Sequence, residues 1–111
     1  MKDDLVYLKH IREAIEKINS YLEGVKLEDF LESDLVLDAV VRELEIIGEA
    51  AKNVSAGFKK KNPSVPWSEM MSMRNRLIHE YFGVNKEIVW DTCQTDLKEL
   101  SLKLESLRNN S

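Results

Sequence analysis

Residue types suited to phosphate chemistry follow one another closely in the segment Arg74-Asn75-Arg76-Leu77-Ile78-His79-Glu80-Tyr81. The Arg74 guanidinium keeps its charge and can bind a phosphate through two parallel N–H donors. The His79 imidazole titrates near neutral pH, so it can act as an acid or a base. Asn75 could orient the His79 ring or hold a phosphate oxygen, and Tyr81 adds a hydroxyl. This segment is therefore the candidate functional region.

An arginine interrupts the apolar face of the helix that is predicted to carry this segment. The face reads Trp67, Met71, Arg74, Ile78 and Tyr81. A guanidinium in an apolar face needs an acidic partner, because burying its charge alone is very costly. The partner could be a ligand, a second chain, or a carboxylate of the central helix. That last alternative is a structural ion pair with Glu43, Glu45 or Glu49.

His79 follows Arg74 by five residues, so the two side chains point about 140° apart on a regular helix. Its neighbours on the same face are Asn75 and Arg76. A site that uses both Arg74 and His79 therefore requires one of three arrangements. The Arg74 side chain reaches around the helix, the end of the helix is distorted, or a second subunit contributes one of the two residues. The alternative is that His79 is a solvated or capping residue.

The apolar spacing predicts an all-α fold in one domain, residues 1–111. Helices are expected over about 4–23 and 34–55, from Pro66 to near Gly83, and from Asn85 almost to the end, with a short helical turn at 27–31. In the second helix, Leu35 is one of several residues that widen the apolar stripe, as expected for a central helix. Short connections favour an antiparallel bundle of four long helices.

The charge is unevenly distributed along the chain. The net charge is −4, which argues against an indiscriminate nucleic-acid coat. Residues 51–81 nevertheless carry six basic and two acidic side chains. Lys59, Lys60 and Lys61 have two interpretations: a solvated helix end, where cations are favourable, or an electropositive rim beside a phosphate site.

Several other chemistries find no support in the sequence. Two His and one Cys at wide spacing make no zinc site, and no phosphate-binding glycine loop is present. Cys93 has the spacing of a core residue and is not expected to be a nucleophile. No apolar run is long enough for a membrane span and no signal peptide is visible, so we expect a cytoplasmic protein.

The segment at 74–81 resembles the Arg-x4-His-x-Tyr motif of HEPN-domain proteins, specifically the HepT-like toxins. The flanks are similar too: Leu44-Glu45-Ile46-Ile47-Gly48-Glu49-Ala50-Ala51, Val65-Pro66-Trp67, Tyr81-Phe82-Gly83-Val84 and Val89-Trp90. The resemblance covers nearly the whole chain, and it implies a HEPN-like helical bundle.

The resemblance also implies an activity. HepT-like proteins are similar to metal-independent endoribonucleases that act as homodimers and bring two copies of the motif together. Arg74, Asn75 and His79 would then be catalytic, with no cofactor or metal. A small nucleotidyltransferase antitoxin would silence the toxin by transferring AMP to Tyr81. The chain's own residues fit, because metal-free RNA cleavage needs a base, an acid and positive charge on the phosphate.

Two further interpretations remain open. The chain could be a non-catalytic nucleotide- or partner-binding subunit of a small nucleotidyltransferase, in which Arg74 and His79 only bind phosphate. It could also be a purely structural dimer with an internal ion pair at Arg74. Tyr81 likewise could be a core or interface tyrosine with a satisfied hydroxyl.

Overall fold

Every regular element in the part of the chain that the structure describes is a helix, which confirms the predicted all-α fold. The computed structural model describes residues 2–72 and 85–110. Its helices are α1 (Lys2–Leu22), α2 (Leu27–Glu32), α3 (Asp34–Asn53), α4 (Ala56–Lys61), α5 (67–72 within the described residues), α6 (Lys86–Gln94) and α7 (Asp96–Asn110).

Helices α1 and α3 form the most extensive helix pair of the described chain. Asp4 in the first turn of α1 contacts Ser55, just beyond the end of α3, so the two helices run antiparallel. Their buried side chains include Leu8, Ile11, Ile18, Val40, Leu44 and Ile47. Each such side chain contributes about 1.5–3 kcal/mol when it is removed from water, so this pair supplies much of the core.

Local signals in the sequence account for the helix ends around this pair. Gly24 follows α1 with a φ of 74°, a conformation that glycine adopts without steric cost. The Ser33 hydroxyl accepts a hydrogen bond from the Val36 N–H at 3.1 Å and begins α3. The Ser55 hydroxyl accepts one from the Phe58 N–H at 3.2 Å and begins α4. These serines satisfy amide groups that have no partner within their own helices.

The predicted last helix is divided in two at Thr95. This residue has φ −116° and ψ −68°, and it separates α6 from α7. Its N–H and its hydroxyl both donate to the Asp91 carbonyl, at 2.9 and 2.8 Å. The apolar spacing continues across the break, because Cys93 and Leu97 are both buried. Periodicity alone therefore indicated one helix where the structure has two.

Two more details differ from the sequence-based prediction. Helix α3 ends at Asn53, and the following residues form the separate short helix α4, with the three lysines in its last turn. Leu35 was expected to widen the apolar stripe of α3, but it is 82% exposed, because it lies in the first turn, where the neighbouring helices do not cover it. His10 is exposed, as expected.

None of the helices in residues 2–72 and 85–110 combines the length and the apolar character needed to cross a bilayer.

A buried carboxylate joins the start of α1 to the start of α4. Asp4 is 3% exposed. One of its oxygens accepts from the Ser55 N–H at 2.7 Å, and the other accepts from the Ser55 hydroxyl at 2.8 Å. These two hydrogen bonds from Ser55 hold the pKa of Asp4 below its usual value, because they favour the charged carboxylate.

Replacing this carboxylate should destabilise the fold, and its neighbour provides a control. We expect Asp4→Asn to lower the thermal midpoint clearly and Asp3→Asn to change it little, since Asp3 lies in the same helical turn but is exposed. The lowered pKa means that the Asp4 contribution is present above the ordinary aspartate pKa of about 3.9. It is lost as the pH falls through the folded-state value.

Thermal denaturation of both variants and the wild type across this pH range measures the effect. The gap between wild type and Asp4→Asn should close at the acid end. Equal losses in the two variants at neutral pH would contradict a specific role for the Asp4–Ser55 contact.

Candidate functional site

The predicted site residues Arg74, Asn75, His79 and Tyr81 all lie outside the described residues. The structure describes the chain immediately before and after them. Helix α5 leads into the segment, and Asn85 with helix α6 follows it. Both flanks are fixed to the bundle by specific contacts.

The upstream flank is fixed to helix α4. The Trp67 indole N–H donates to the Asn62 carbonyl at 3.0 Å. Its ring meets Phe58 edge-on, with centroids 6.2 Å apart. The Lys59 ammonium lies 3.7 Å from the Met71 sulfur. These contacts hold α5 against α4, so Trp67 is a core residue, as the sequence predicted.

The downstream flank is fixed to the junction between α2 and α3. The Lys86 ammonium donates to the Leu31 carbonyl at 3.1 Å and lies 3.2 Å from an Asp34 carboxylate oxygen. The Trp90 ring packs against Phe30 with centroids 5.3 Å apart. Sequence analysis missed Lys86, because its partners are more than 50 residues away and no local pattern marks them.

Asn85 caps helix α6, at the position where the last helix was predicted to begin. Its side-chain oxygen accepts from the N–H groups of Glu87 and Ile88, at 2.9 and 3.2 Å. Glu87 in the first turn adds a favourable charge near the positive end of the helix dipole. The helix that follows the candidate segment therefore has a defined first residue.

The three carboxylates considered as structural partners for Arg74 have different environments. Glu43 is buried, with 4% of its surface exposed, whereas Glu45 is half-buried and Glu49 is exposed. Among the described residues, no hydrogen bond or salt bridge reaches the Glu43 carboxylate. Of these three carboxylates, Glu43 therefore has the greatest need of a charged partner such as Arg74.

A cavity of about 320 Å³ lies between α5, α6 and α7, close to the upstream flank. Its charged lining residues are Glu69, Asp96, Glu99 and Lys103. The Lys103 ammonium is 3.1 Å from a Glu99 oxygen, so its charge is already compensated. Because three of these four charged residues are carboxylates, a phosphate group would be repelled there.

Cys93 is a core residue of α6 and 3% exposed. Burial raises the pKa of its thiol to about 12, because the thiolate would lose its hydration. The thiol therefore stays protonated at neutral pH, in agreement with the expectation that it is not a nucleophile. Within the described stretches, no group of three or more His, Cys, Asp or Glu side chains could hold a metal ion.

Comparison with known proteins identifies the family. The family model "Ribonuclease HepT-like" matches residues 11–107, a range that includes all four predicted site residues. The chain is 47% identical to a protein of Thermococcus cleftensis named a probable ribonuclease HepT, over 92% of this chain and 93% of that protein. It is 42% identical to a protein of Caldanaerobacter subterraneus named a putative RNase, over 96% of each.

A third relative, from Methanocaldococcus jannaschii and also named a putative RNase, is 40% identical over 89% of this chain and 85% of its own length. No solved structure matches the chain. The chain belongs to the HepT-like ribonuclease family. This confirms the resemblance noted from the motif and its flanks, and it supports a ribonuclease function.

The buried thiol should be inert in the native protein. We expect native Cys93 to react with a thiol reagent at pH 8 about a thousandfold more slowly than an ordinary cysteine, from the lowered thiolate fraction alone. In denaturant, one thiol per chain should react quickly, because Cys93 is the single cysteine. Rapid labelling of the folded protein would contradict the described burial.

Proposed function

We propose that this protein is a metal-independent endoribonuclease, the toxin of a toxin–antitoxin pair that acts in the cytoplasm. In this proposal Arg74, Asn75 and His79 carry catalysis in a homodimer, and Tyr81 receives AMP from a nucleotidyltransferase antitoxin. One observation carries the proposal: the family match across residues 11–107 contains an intact Arg-x4-His-x-Tyr motif at 74–81.

The proposed reaction uses the RNA's own 2′-hydroxyl as the nucleophile. Its oxygen bonds to the adjacent phosphorus while a base takes its proton. The bond from phosphorus to the 5′-oxygen breaks, and an acid protonates that leaving oxygen. The products are a 2′,3′-cyclic phosphate and a 5′-hydroxyl. Arg74 would neutralise the charge that builds up on the phosphate oxygens, and Asn75 would orient His79 or a phosphate oxygen.

A dimer supplies what one chain lacks. His79 is the one plausible catalytic histidine of the sequence, because His10 lies on the exposed flank of α1. The reaction needs both an acid and a base. A two-fold axis beside residues 66–82 would bring two copies of His79 together. It would also remove the difficulty that Arg74 and His79 would point in different directions on a regular helix.

The flanks support a site in this segment, because catalytic groups need rigid supports. Trp67 is held by Asn62 and Phe58, and Lys86 is held by Asp34 and Leu31. The carboxylate-lined cavity is unsuitable for a phosphate, so it does not compete as the RNA site.

Two other interpretations give different experimental results. A non-catalytic nucleotide-binding subunit would bind phosphate through Arg74 and His79 but would leave RNA intact. A structural ion pair of Arg74 with Glu43, Glu45 or Glu49 would make Arg74→Ala and the glutamine variant of its partner similarly destabilising. An RNA-cleavage assay with purified wild type distinguishes the non-catalytic subunit from the enzyme. Thermal denaturation of the variants distinguishes the structural ion pair from the enzyme.

We expect His79→Ala and Arg74→Ala each to abolish RNA cleavage and toxicity while the helical content stays unchanged. Loss of one acid–base group typically lowers the rate by about 10²–10⁴. Arg74→Lys should also fail, because an ammonium does not replace the planar fork of a guanidinium. His10→Ala is the matched control and should remain active, because His10 is exposed on α1.

The measurement is cleavage of labelled RNA with and without EDTA, with the product ends identified by mass spectrometry. A requirement for added Mg²⁺, or full activity in His79→Ala, would refute the mechanism. Cleavage by a protein that is monomeric in solution at micromolar concentration would refute the two-subunit site.

Tyr81 is the proposed point of regulation. Its hydroxyl would attack the α-phosphorus of a nucleoside triphosphate held by the antitoxin, with loss of its proton and release of pyrophosphate. Tyr81 follows Arg74 by seven residues, close to two turns of a regular helix, so the two would share a face. The attached phosphodiester carries about one negative charge and would occupy the place of the RNA phosphate beside Arg74.

Intact-mass spectrometry after co-expression with the nucleotidyltransferase tests this. Wild type should gain one or more AMP units and lose toxicity, whereas Tyr81→Phe should stay unmodified and toxic. Tyr21→Phe is the control, because Tyr21 is 38% exposed and offers an alternative accessible hydroxyl. Full neutralisation of Tyr81→Phe by the antitoxin would show that masking of the site, and not modification, is the switch.

A further inference from the structure

One end of the bundle has an unusual excess of positive charge. Residues 50–68 contain four lysines and no aspartate or glutamate, although the whole chain carries −4. We call Lys52, Lys59, Lys60 and Lys61 the lysine rim. Lys52 lies in the last turn of α3, and the other three form the last turn of α4. The rim is thus built at two helix ends that the α3–α4 connection brings together.

The charges of the lysine rim are available to a ligand. Lys52, Lys60 and Lys61 are exposed, and Lys59 is half-buried. Among the described residues, no salt bridge reaches any of these four ammonium groups. Asp4 does contact this end of the bundle, but Ser55 donates hydrogen bonds to both of its oxygens.

The lysine rim is attached to the helix that leads into the candidate site. The Lys59 ammonium lies 3.7 Å from the Met71 sulfur, and the Phe58–Trp67 and Asn62–Trp67 contacts fix α4 against α5. Arg74 follows Met71 by three residues, so chain connectivity alone keeps their Cα atoms within about 11 Å. An extended nucleic-acid strand with a phosphate at Arg74 would therefore pass close to the rim.

We propose that the lysine rim binds the phosphodiester backbone of the RNA strand beside the cleavage site. The ligand's identity as RNA rests on the proposed function, whereas the location of the surface rests on the described contacts. Lysines at helix ends also interact favourably with the helix dipole, so a purely local role is the interpretation that the experiment must exclude. The rim would set the affinity for RNA and the position of the strand relative to the cleavage site, and it takes no part in the bond-breaking step.

The test measures binding of a fluorescent single-stranded 2′-O-methyl RNA, which cannot undergo attack by its own 2′-hydroxyl. The full-length double variant Lys60→Gln/Lys61→Gln is compared with Lys9→Gln/Lys17→Gln, which removes two exposed lysines of α1 and the same net charge. Lys60→Arg/Lys61→Arg keeps the charge and should bind like wild type. Circular dichroism checks that α4 and the rest of the fold are retained.

Each phosphate contact contributes about 0.7 to the slope of log affinity against log salt for a single strand. The slope of the rim variant should therefore be shallower than that of wild type by about 1.4. Between 50 and 200 mM salt, the loss of affinity in the rim variant should be about sevenfold smaller than the loss in wild type. The α1 control should keep the wild-type slope. On cleavable RNA, the rim variant should show a raised KM and an unchanged kcat.

Equal binding and equal slopes in the rim and α1 variants would overturn the proposal. The same result is expected if the rim binds an acidic protein and not RNA. Wild type that binds the probe through the rim but never cuts RNA would support the rim and refute the proposed enzyme. If wild type cuts RNA and substitution of the rim lysines leaves KM unchanged, the proposed enzyme is supported and the rim is refuted as an RNA-binding surface.

Discussion

The antiparallel packing of α1 on α3 is the contact on which the other elements depend. Ile11 and Ile47 are completely buried, and α2 and α7 each pack against one helix of this pair. The pair is joined at one end by Gly24 and the short helix α2, and at the other by the Asp4–Ser55 hydrogen bonds. The upstream flank of the candidate segment is then attached to α4, which follows α3, and the downstream flank is attached to the junction between α2 and α3.

Much of this fold was predictable because helix packing leaves a regular pattern in the sequence. The spacing of Leu8, Ile11, Ile15 and Ile18 indicated α1, and all four are buried. Patterns of this kind report which residues face the core but not how a chain bends within it. The break at Thr95 is a local change in backbone dihedral angles, which periodicity does not encode. Leu35 is exposed because α3 begins before its neighbours cover it.

The prediction of the candidate site rests on a different kind of signal. Arg74 was singled out because a fixed charge interrupts an apolar helix face, and His79 because a titratable ring follows it five residues later. That pattern identifies a chemistry but leaves the partner of each group open, since the partner can lie on another helix or another chain. Lys86 shows the same limit among the described residues, because only the fold brings Asp34 and Leu31 to it. The lysine excess of residues 50–68 was visible in the sequence, whereas the acidic lining of the cavity arises only where α5, α6 and α7 meet.

The division at Thr95 has a mechanical consequence. Helix α6 packs against α2, through Trp90 and Phe30, whereas α7 packs against α1, where the Arg12 guanidinium donates to the Leu104 carbonyl at 3.5 Å. One continuous helix would transmit a displacement along its whole length as a rigid rod. Two helices attached to different partners can open separately and have separate local stabilities. A displacement of the chain just after the candidate segment can thus be accommodated by the backbone at Thr95, while α7 stays packed against α1.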